Sequence, residues 1–486
     1  MKGRKRCRGI SDNGYITVYL ALVTGILLSL FLTLLEASRR DIIRMQIECG
    51  ADMALQSALA QYHREVLKQY DLFFIDTSYG TADPSFHRTE GMISSYLEKN
   101  FCPKETFSFP LARDLTGLSV ENVSLLKAGV ATDSDCSVLK YHAVQYMKDR
   151  YGISAAEGLL SFGESLAGSG YVGDGIEQEW DAAQKQLTEE IISGKRLQDE
   201  EWDGSIPETP SDAVQATRGE GILGTAVRGT PLSTAAVAVN TLPSNRNCSQ
   251  GTGLSEGKEV PDSMLENGLF YGYILEKCGD FGAEKENSAL AYEVEYILQQ
   301  KGTDLDNLRE TAQELLWIRE AANAAFLFSS SLKQSAEDVA LLITGILGLP
   351  ELAELMTGVI LFAWSYAESV KDVRILLTGG KVPLIKTESS WNTPFSQLLT
   401  YRAHLDEWQE CEDGFSYKEY LGALLFLHGS KKAAWGLADM MECDIRRTAG
   451  NEKFRADGLI DGMTAQIDAV SSYGGTWQII REYIYE

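Results

Sequence analysis

Histidine is scarce in this chain. Five are present among 486 residues: His63, His87, His142, His404 and His428. None forms H-E-x-x-H, and none stands at metal-ligand spacing from other His, Asp or Glu residues. No metal site and no cofactor is therefore expected. Cysteine is sparse as well. The eight cysteines, Cys7, Cys49, Cys102, Cys136, Cys248, Cys278, Cys411 and Cys443, include no C-x-x-C pair and no zinc-finger spacing. They are too few for a disulfide scaffold at this length. Cys102–Cys136, Cys248–Cys278 and Cys411–Cys443 can bridge if the body is exported; free, partly buried thiols are the alternative. Basic charge is short too, with 44 Lys and Arg against 69 Asp and Glu, net −25. Residues 1–13 hold Lys2, Arg4, Lys5, Arg6 and Arg8 against Asp12, a balance of +4, so the remainder carries about −29 (−25 minus +4). A body that acidic repels phosphate backbones, which argues against nucleic-acid partners and suits a soluble exported domain.

Catalytic motifs are missing in the same way. Gly168-Ser169-Gly170-Tyr171-Val172-Gly173 spells G-x-G-x-x-G, but the preceding "LLSFGESLA" is a weak strand and Asp174-Gly175 continues the turn. Gly253-Leu254-Ser255-Glu256-Gly257 spells G-x-S-x-G inside a polar stretch, where no nucleophile elbow forms. "LLTGGKVPL" fails as a phosphate loop, because Ile375 and Val382 replace the required Gly and Ser/Thr. Gly379-Gly380 reads instead as a helix stop before an extended segment. Asp406, Glu407, Glu410, Glu412 and Asp413 surround Trp408 without EF-hand spacing, and a solvated acidic face is expected there.

What the sequence does have is one long apolar run. Tyr15 to Leu35 is 21 residues without a charge. At about 1.5 Å per residue it spans a bilayer core of about 30 Å. Its apolar residues occupy every face, unlike a core helix with one stripe. A removed signal peptide fits badly: the run is long, and it ends at Leu35-Glu36-Ala37 rather than at a small-x-small site. The upstream basic cluster predicts a cytoplasmic N-terminus (residues 1–14), a single-pass transmembrane helix (15–35) and an extracytoplasmic body. Ala21, Gly25 and Ser29 recur every four residues and suit close packing of anchors in lipid. No proline interrupts residues 15–70, and Met53, Leu55, Leu59, Tyr62 and Val66 continue the helical period, so one long helix is expected, weakest at Gly50.

The leader, with its basic residues, Gly14, Tyr15 and "ITV" opening the apolar helix, resembles a type IV pilin-like leader. That class is cut after the glycine, at a bond corresponding to Gly14–Tyr15. Tyr19 stands where it usually has glutamate, so whether this bond is cut stays open. "ALAQYHREVLKQYDLFFIDTSYG" (58–80) and "WSYAESVKDVRILLTGGKVPLIKTESSW" (364–391) are similar to an uncharacterised family of membrane-anchored proteins of Gram-positive bacteria, encoded beside tight-adherence (Tad) pilus loci. The resemblance implies a location and pilin-like or pilus-assembly partners, with no known activity. Trp364, Tyr366, Glu368, Asp372, Arg374 and Trp391 belong to it; they either pair internally or present a partner surface.

For the body, residues 36–201 read as a helical stalk and a mixed α/β part, with strand character in "DLFFID" and "GLSVENVSLLKAGVAT" and helices at 137–150 and 177–200. Residues 202–265 are rich in Gly, Ser, Thr and Pro and read as a loop or linker with one short strand at 235–239. Residues 266–486 read as a mostly helical domain. Thr303-x-x-Asp306 resembles a capping box. Val339–Leu349 and Leu355–Ala367 are each too short to cross a bilayer, and core helices are expected over a membrane hairpin. The fold class is α+β and mostly helical: a transmembrane helix extending into an exported body with a small β region and a C-terminal helical bundle. The expected function is a non-enzymatic component of a Tad-like pilus or surface apparatus. The alternative is a tethered cell-envelope hydrolase. The lipid bilayer is the first expected partner; any small-molecule ligand is left unspecified.

Overall fold

The computed structural model describes residues 13–101, 116–170, 173–198, 209–219, 221–248 and 263–485. From the N-terminus, α1 spans Asn13–Leu59, α2 Arg64–Tyr70, β1 Ile75–Asp76, α3 Phe86–Phe101, β2 Leu118–Val130, α4 Asp133–Tyr151, α5 Glu157–Ser169 and α6 Gly175–Gln198. Then come α7 Pro210–Arg218, α8 Ile222–Ala226, α9 Met264–Lys277, α10 Glu293–Gln299, α11 Asp304–Ser329, α12 Lys333–Leu347 and α13 Ala353–Leu377. The last described elements are β3 Lys381–Val382, β4 Phe415–Ser416, α14 Tyr417–His428, α15 Ser430–Arg446, β5 Leu459–Ser471 and β6 Thr476–Ile484. The fold is α+β and mostly helical, as the sequence indicates.

Two hydrophobic cores divide the chain. The smaller joins the second half of α1 to α3 and an antiparallel sheet. Ile43, Ile47, Ala51, Ala54, Leu55 and Ala58 lie on one face of α1 at three- and four-residue steps and are buried. Ile43, Ile47 and Leu55 each contribute about 1.5–3 kcal/mol on burial. They meet Ile93, Leu97 and Phe101 of α3 and the alternate residues Met463, Ala465, Ile467 and Ala469 of β5. β5 is the central strand: β2 pairs along one side, while β6 and the short β1 pair on the other.

The sheet corrects the expected division of the chain. The end of the region read as a helical domain, 459–484, is a hairpin that closes the N-terminal core. Its partner β2 falls in the stretch that reads as strand, whereas the hairpin itself is not read from the sequence. Gly474 and Gly475 adopt φ of 94° and 110°, which a side-chain-bearing residue rarely does. α1 also ends earlier than residue 70. The backbone turns at Ala60–Gln61, and His63 N-caps α2 by accepting from Val66 N–H at 3.3 Å. Gly50 is no break in the helix. A Cβ there would sit 2.8 Å from Phe101 Cε1, so the glycine allows α3 to approach.

The larger core is helical and centres on α11 and α13. α13 is buried on nearly all sides, which is why its sequence is apolar all round. α12 covers it and leaves Leu341, Leu342 and Ile346 exposed. Thr303 caps α11 as expected, accepting from Asp306 N–H at 3.1 Å.

The stretch 202–265 is not wholly a linker. Residues 209–248 pack into the helical core through Val214, Ile222, Ala226 and Leu242. The Arg246 guanidinium donates to Glu442 Oε2 at 2.7 Å and Asp457 Oδ1 at 2.6 Å, tying the segment to α15 and to the start of β5. The expected strand at 235–239 is a single antiparallel bridge, Ala236 to Thr303. Composition misleads here because small polar residues also suit short helices and turns pinned by ion pairs.

Candidate functional site

The first candidate is α1 itself. From Tyr15 to Leu35 it stands bare of the body: Tyr15, Leu20, Leu28 and Leu35 are 82%, 61%, 62% and 51% exposed. It is the one helix among the described residues long and apolar enough to cross a membrane. Two of its hydroxyls bond back to the helix, which suits hydrocarbon: Thr24 Oγ1 donates to Leu20 O at 2.8 Å and Thr33 Oγ1 to Leu30 O at 2.7 Å. The bare run ends where Glu36 pairs with Arg39 and Arg40 at 3.2 and 3.3 Å. Arg39 also lies 4.4 Å over the ring of Tyr473, so the β5–β6 turn touches α1 at the end of the apolar run. Ala21, Gly25 and Ser29 share one stripe of this segment, with open space beside Gly25. The Gly14–Tyr15 bond lies in its first turn.

In the second candidate, the 364–391 segment, the singled-out side chains pair internally, one of the two expected arrangements. Trp364, Tyr366, Glu368 and Asp372 are buried, and Trp391 is half-buried. Trp364 Nε1 donates to Thr393 O at 2.7 Å, and the Trp364 and Trp391 rings pack edge to face at 5.7 Å. Arg374 pairs with Asp406 at 2.8 Å and donates to Ala226 O at 2.9 Å. At the centre is a buried ionic cluster. Asp372 accepts from Arg319 Nε at 3.0 Å and Asn323 Nδ2 at 2.9 Å, and pairs with Lys386 at 2.6 Å. Lys386 also pairs with Glu368. Burial opposes ionisation of Asp372, but the Lys386 and Arg319 charges prevail and hold its carboxyl below the usual range. Spacing in α13 carried the signal: Glu368 and Asp372 are four apart and share a face. Only the fold shows that this face is covered.

Above this cluster the structure unites two motifs that the sequence keeps 30 residues apart. The Gly379-Gly380 stop ends α13, with Gly380 N–H donating to Ile375 O at 2.8 Å. Lys381–Val382 then pairs with Phe415–Ser416, which draws the Trp408 acidic stretch alongside. Between them lies a cavity of about 400 Å³, lined by Thr378, Gly379, Gly380, Lys381, Trp408, Glu410, Cys411 and Glu412. A smaller one of about 210 Å³ adjoins it and reaches Lys386 and Asp372.

The remaining motifs fall away. α5, not a strand, precedes Gly170, so the dinucleotide pattern lacks its context; Tyr171 and Val172 lie outside the described residues, as does Gly253–Gly257. Cys248, Cys278, Cys411 and Cys443 are free thiols, so two of the three considered bridges are not formed; Cys102 of the third is outside the described residues. Each histidine has a side-chain partner, such as Asp461 for His142 at 3.1 Å and Glu314 for His428 at 2.9 Å. Among the described residues, no three His, Cys, Asp or Glu side chains converge to hold a metal ion.

Several carboxylates inside the helical core went unnoticed in sequence. Burial pushes Glu295 up to about 8, against hydrogen bonds from Tyr417 and the Phe281 N–H. Burial likewise raises Asp439 to about 6, although Ser244 and Tyr296 donate to it. Glu320 is raised well above its ordinary value by burial and by the Glu177 charge. Glu295 and Asp439 bridge separate segments of the core, whereas Glu320 Oε2 is buried without a hydrogen-bond partner.

Comparison with known proteins is brief. No curated protein and no solved structure matches the chain significantly. Residues 200–471 match the model of a family of unknown function, DUF5702, a span that holds helices α7–α15 of the helical core, the ionic cluster, the cleft and β5. That is more than half of the chain, and the protein belongs to this uncharacterised family.

Proposed function

We propose that the protein is a single-pass membrane protein with a cytoplasmic N-terminus and an extracytoplasmic body, serving as a non-enzymatic structural or assembly component of a Tad-like pilus or related surface apparatus. One observation carries this reading. α1 leaves a largely apolar, uncharged run of 21 residues bare and then, without a break, becomes part of the sheet core. A rigid helix of this kind fixes the body to the bilayer, while its lipid-facing half is free to pack with other anchors. The basic residues before α1 and the acidic body support the orientation. Fractionation with proteolysis of intact spheroplasts tests it. The body should be degraded from outside; a protected body overturns the orientation. Crosslinking in the native membrane should recover other pilin-like anchors, and a chain that crosslinks to none overturns the assembly role. N-terminal mass spectrometry reads whether residues 1–14 remain.

A tethered cell-envelope hydrolase is the second reading, favoured by the cleft beside Trp408. It requires turnover of an envelope polymer that Glu410→Gln or Glu412→Gln abolishes.

A further inference from the structure

The cavity of about 400 Å³ brings an aromatic ring and several unpaired polar side chains together. In the acidic stretch, Asp406 is paired with Arg374 and Glu407 with His404 at 3.0 Å. Glu410 and Glu412 have no hydrogen-bond or ion-pair partner among the described residues, and neither do Lys381, the Cys411 thiol or the Trp408 indole N–H. Trp408 is fixed by packing one side on the helical core while it lines the cavity. The volume falls within the roughly 300–1,000 Å³ usual for ligand sites, and convergent unpaired polar groups beside an aromatic ring are what such sites present.

The mixture of groups narrows the ligand. A metal ion needs at least three suitably placed ligands, and no group of three His, Cys, Asp or Glu among the described residues is placed to hold one. An anion faces two carboxylates, and a cation faces Lys381. A neutral polyhydroxyl compound meets neither repulsion. Its hydroxyls donate to carboxylates and accept from an ammonium and an indole N–H, and its C–H face lies on an aromatic ring. We propose that this cleft binds a neutral saccharide. Trp408 forms the platform for one pyranose face, Glu410 and Glu412 accept hydroxyl hydrogen bonds, and Lys381 donates. The adjoining cavity of about 210 Å³ accommodates a substituent on that ring.

The test uses the full chain in a polyoxyethylene detergent, which carries no sugar headgroup. Titration calorimetry is run with N-acetylglucosamine, cello- and malto-oligosaccharides. At least one should bind, and Trp408→Ala should weaken it at least about tenfold. The double variant Glu410→Gln/Glu412→Gln, on exposed positions that leave folding intact, should weaken the same sugar comparably. Absence of binding to every sugar overturns the proposal, as does binding that both variants leave unchanged. So does binding of Ca²⁺ or a lysine-rich peptide that the variants abolish while no sugar binds. The readout does not depend on membrane orientation, so its failure is distinct from failure of the anchored-component reading.

Discussion

Asp372→Asn should destabilise the helical core severely. The carboxylate is fully buried and meets two cations, Arg319 and Lys386, themselves 0% and 1% exposed. Glu368 is the other buried anion on Lys386. Removing the Asp372 charge leaves two buried cations with one carboxylate between them. Breaking a buried pair from one side costs about 3–5 kcal/mol, because the desolvated partner stays charged and unpaired. With an unfolding entropy of about 2.1 cal/mol/K per residue, a body of this size shifts about 1–1.5 °C per kcal/mol, so the melting temperature should fall by roughly 3–8 °C. Thermal unfolding followed by tryptophan fluorescence suits this site, since Trp364 and Trp391 pack beside it. Glu337→Gln is the control. Its pair with Lys333 is 35% and 47% exposed, and its loss should cost less than about 1 kcal/mol. Lys386→Met added to Asp372→Asn should cost less than the two single losses together, because each removed charge is the other's counter-ion. An Asp372→Asn melting temperature equal to the control's, or strict additivity, refutes the reasoning. The pH dependence follows the same pairing. A carboxylate held below its ordinary value stabilises the fold above its unfolded pKa of about 3.9, and that contribution is lost as the pH falls through the lower folded value.

Glu295 has the opposite sign. Its pKa is raised to about 8 in the fold against about 4.3 unfolded, so the folded state holds the extra proton and stability falls as the pH climbs between those values. Glu295→Gln should match the parent at pH 5 and exceed its melting temperature at pH 9; equal loss at both pH values would count against the assignment. Gly50→Val should destabilise the sheet core by about 1–3 kcal/mol, read by denaturant unfolding, since its side chain meets Phe101. Gly25→Leu meets open space and should leave unfolding unchanged while reducing anchor-to-anchor crosslinking in membranes. Gly25→Arg, at the middle of the apolar run, should cost about 2.5–3.5 kcal/mol of insertion and release chain from the membrane fraction.

Features written in local periodicity could be read directly. The 21-residue apolar run gives the bare helix, the Thr303 cap begins α11, and Gly379-Gly380 ends α13. Each needs only contacts a few residues apart, so composition and spacing determine it. The ionic cluster was half legible. Glu368 and Asp372 mark a polar face on an apolar helix, but solvent and a buried counter-ion explain such a face equally well. The choice fell to Arg319 and Lys386, which approach α13 from other segments.

The sheet and the cleft were decided by tertiary structure alone. Ser471 Oγ donates to Thr116 O at 2.6 Å across 355 positions, and no local pattern specifies a partner at that distance. A strand declares that it alternates, not what it pairs with, because the ladder is built from backbone groups that every residue carries. Likewise Lys381 and Glu410 look like ordinary surface charges in sequence. Only the pairing of β3 with β4 sets them, unpaired, around the same cavity as Trp408.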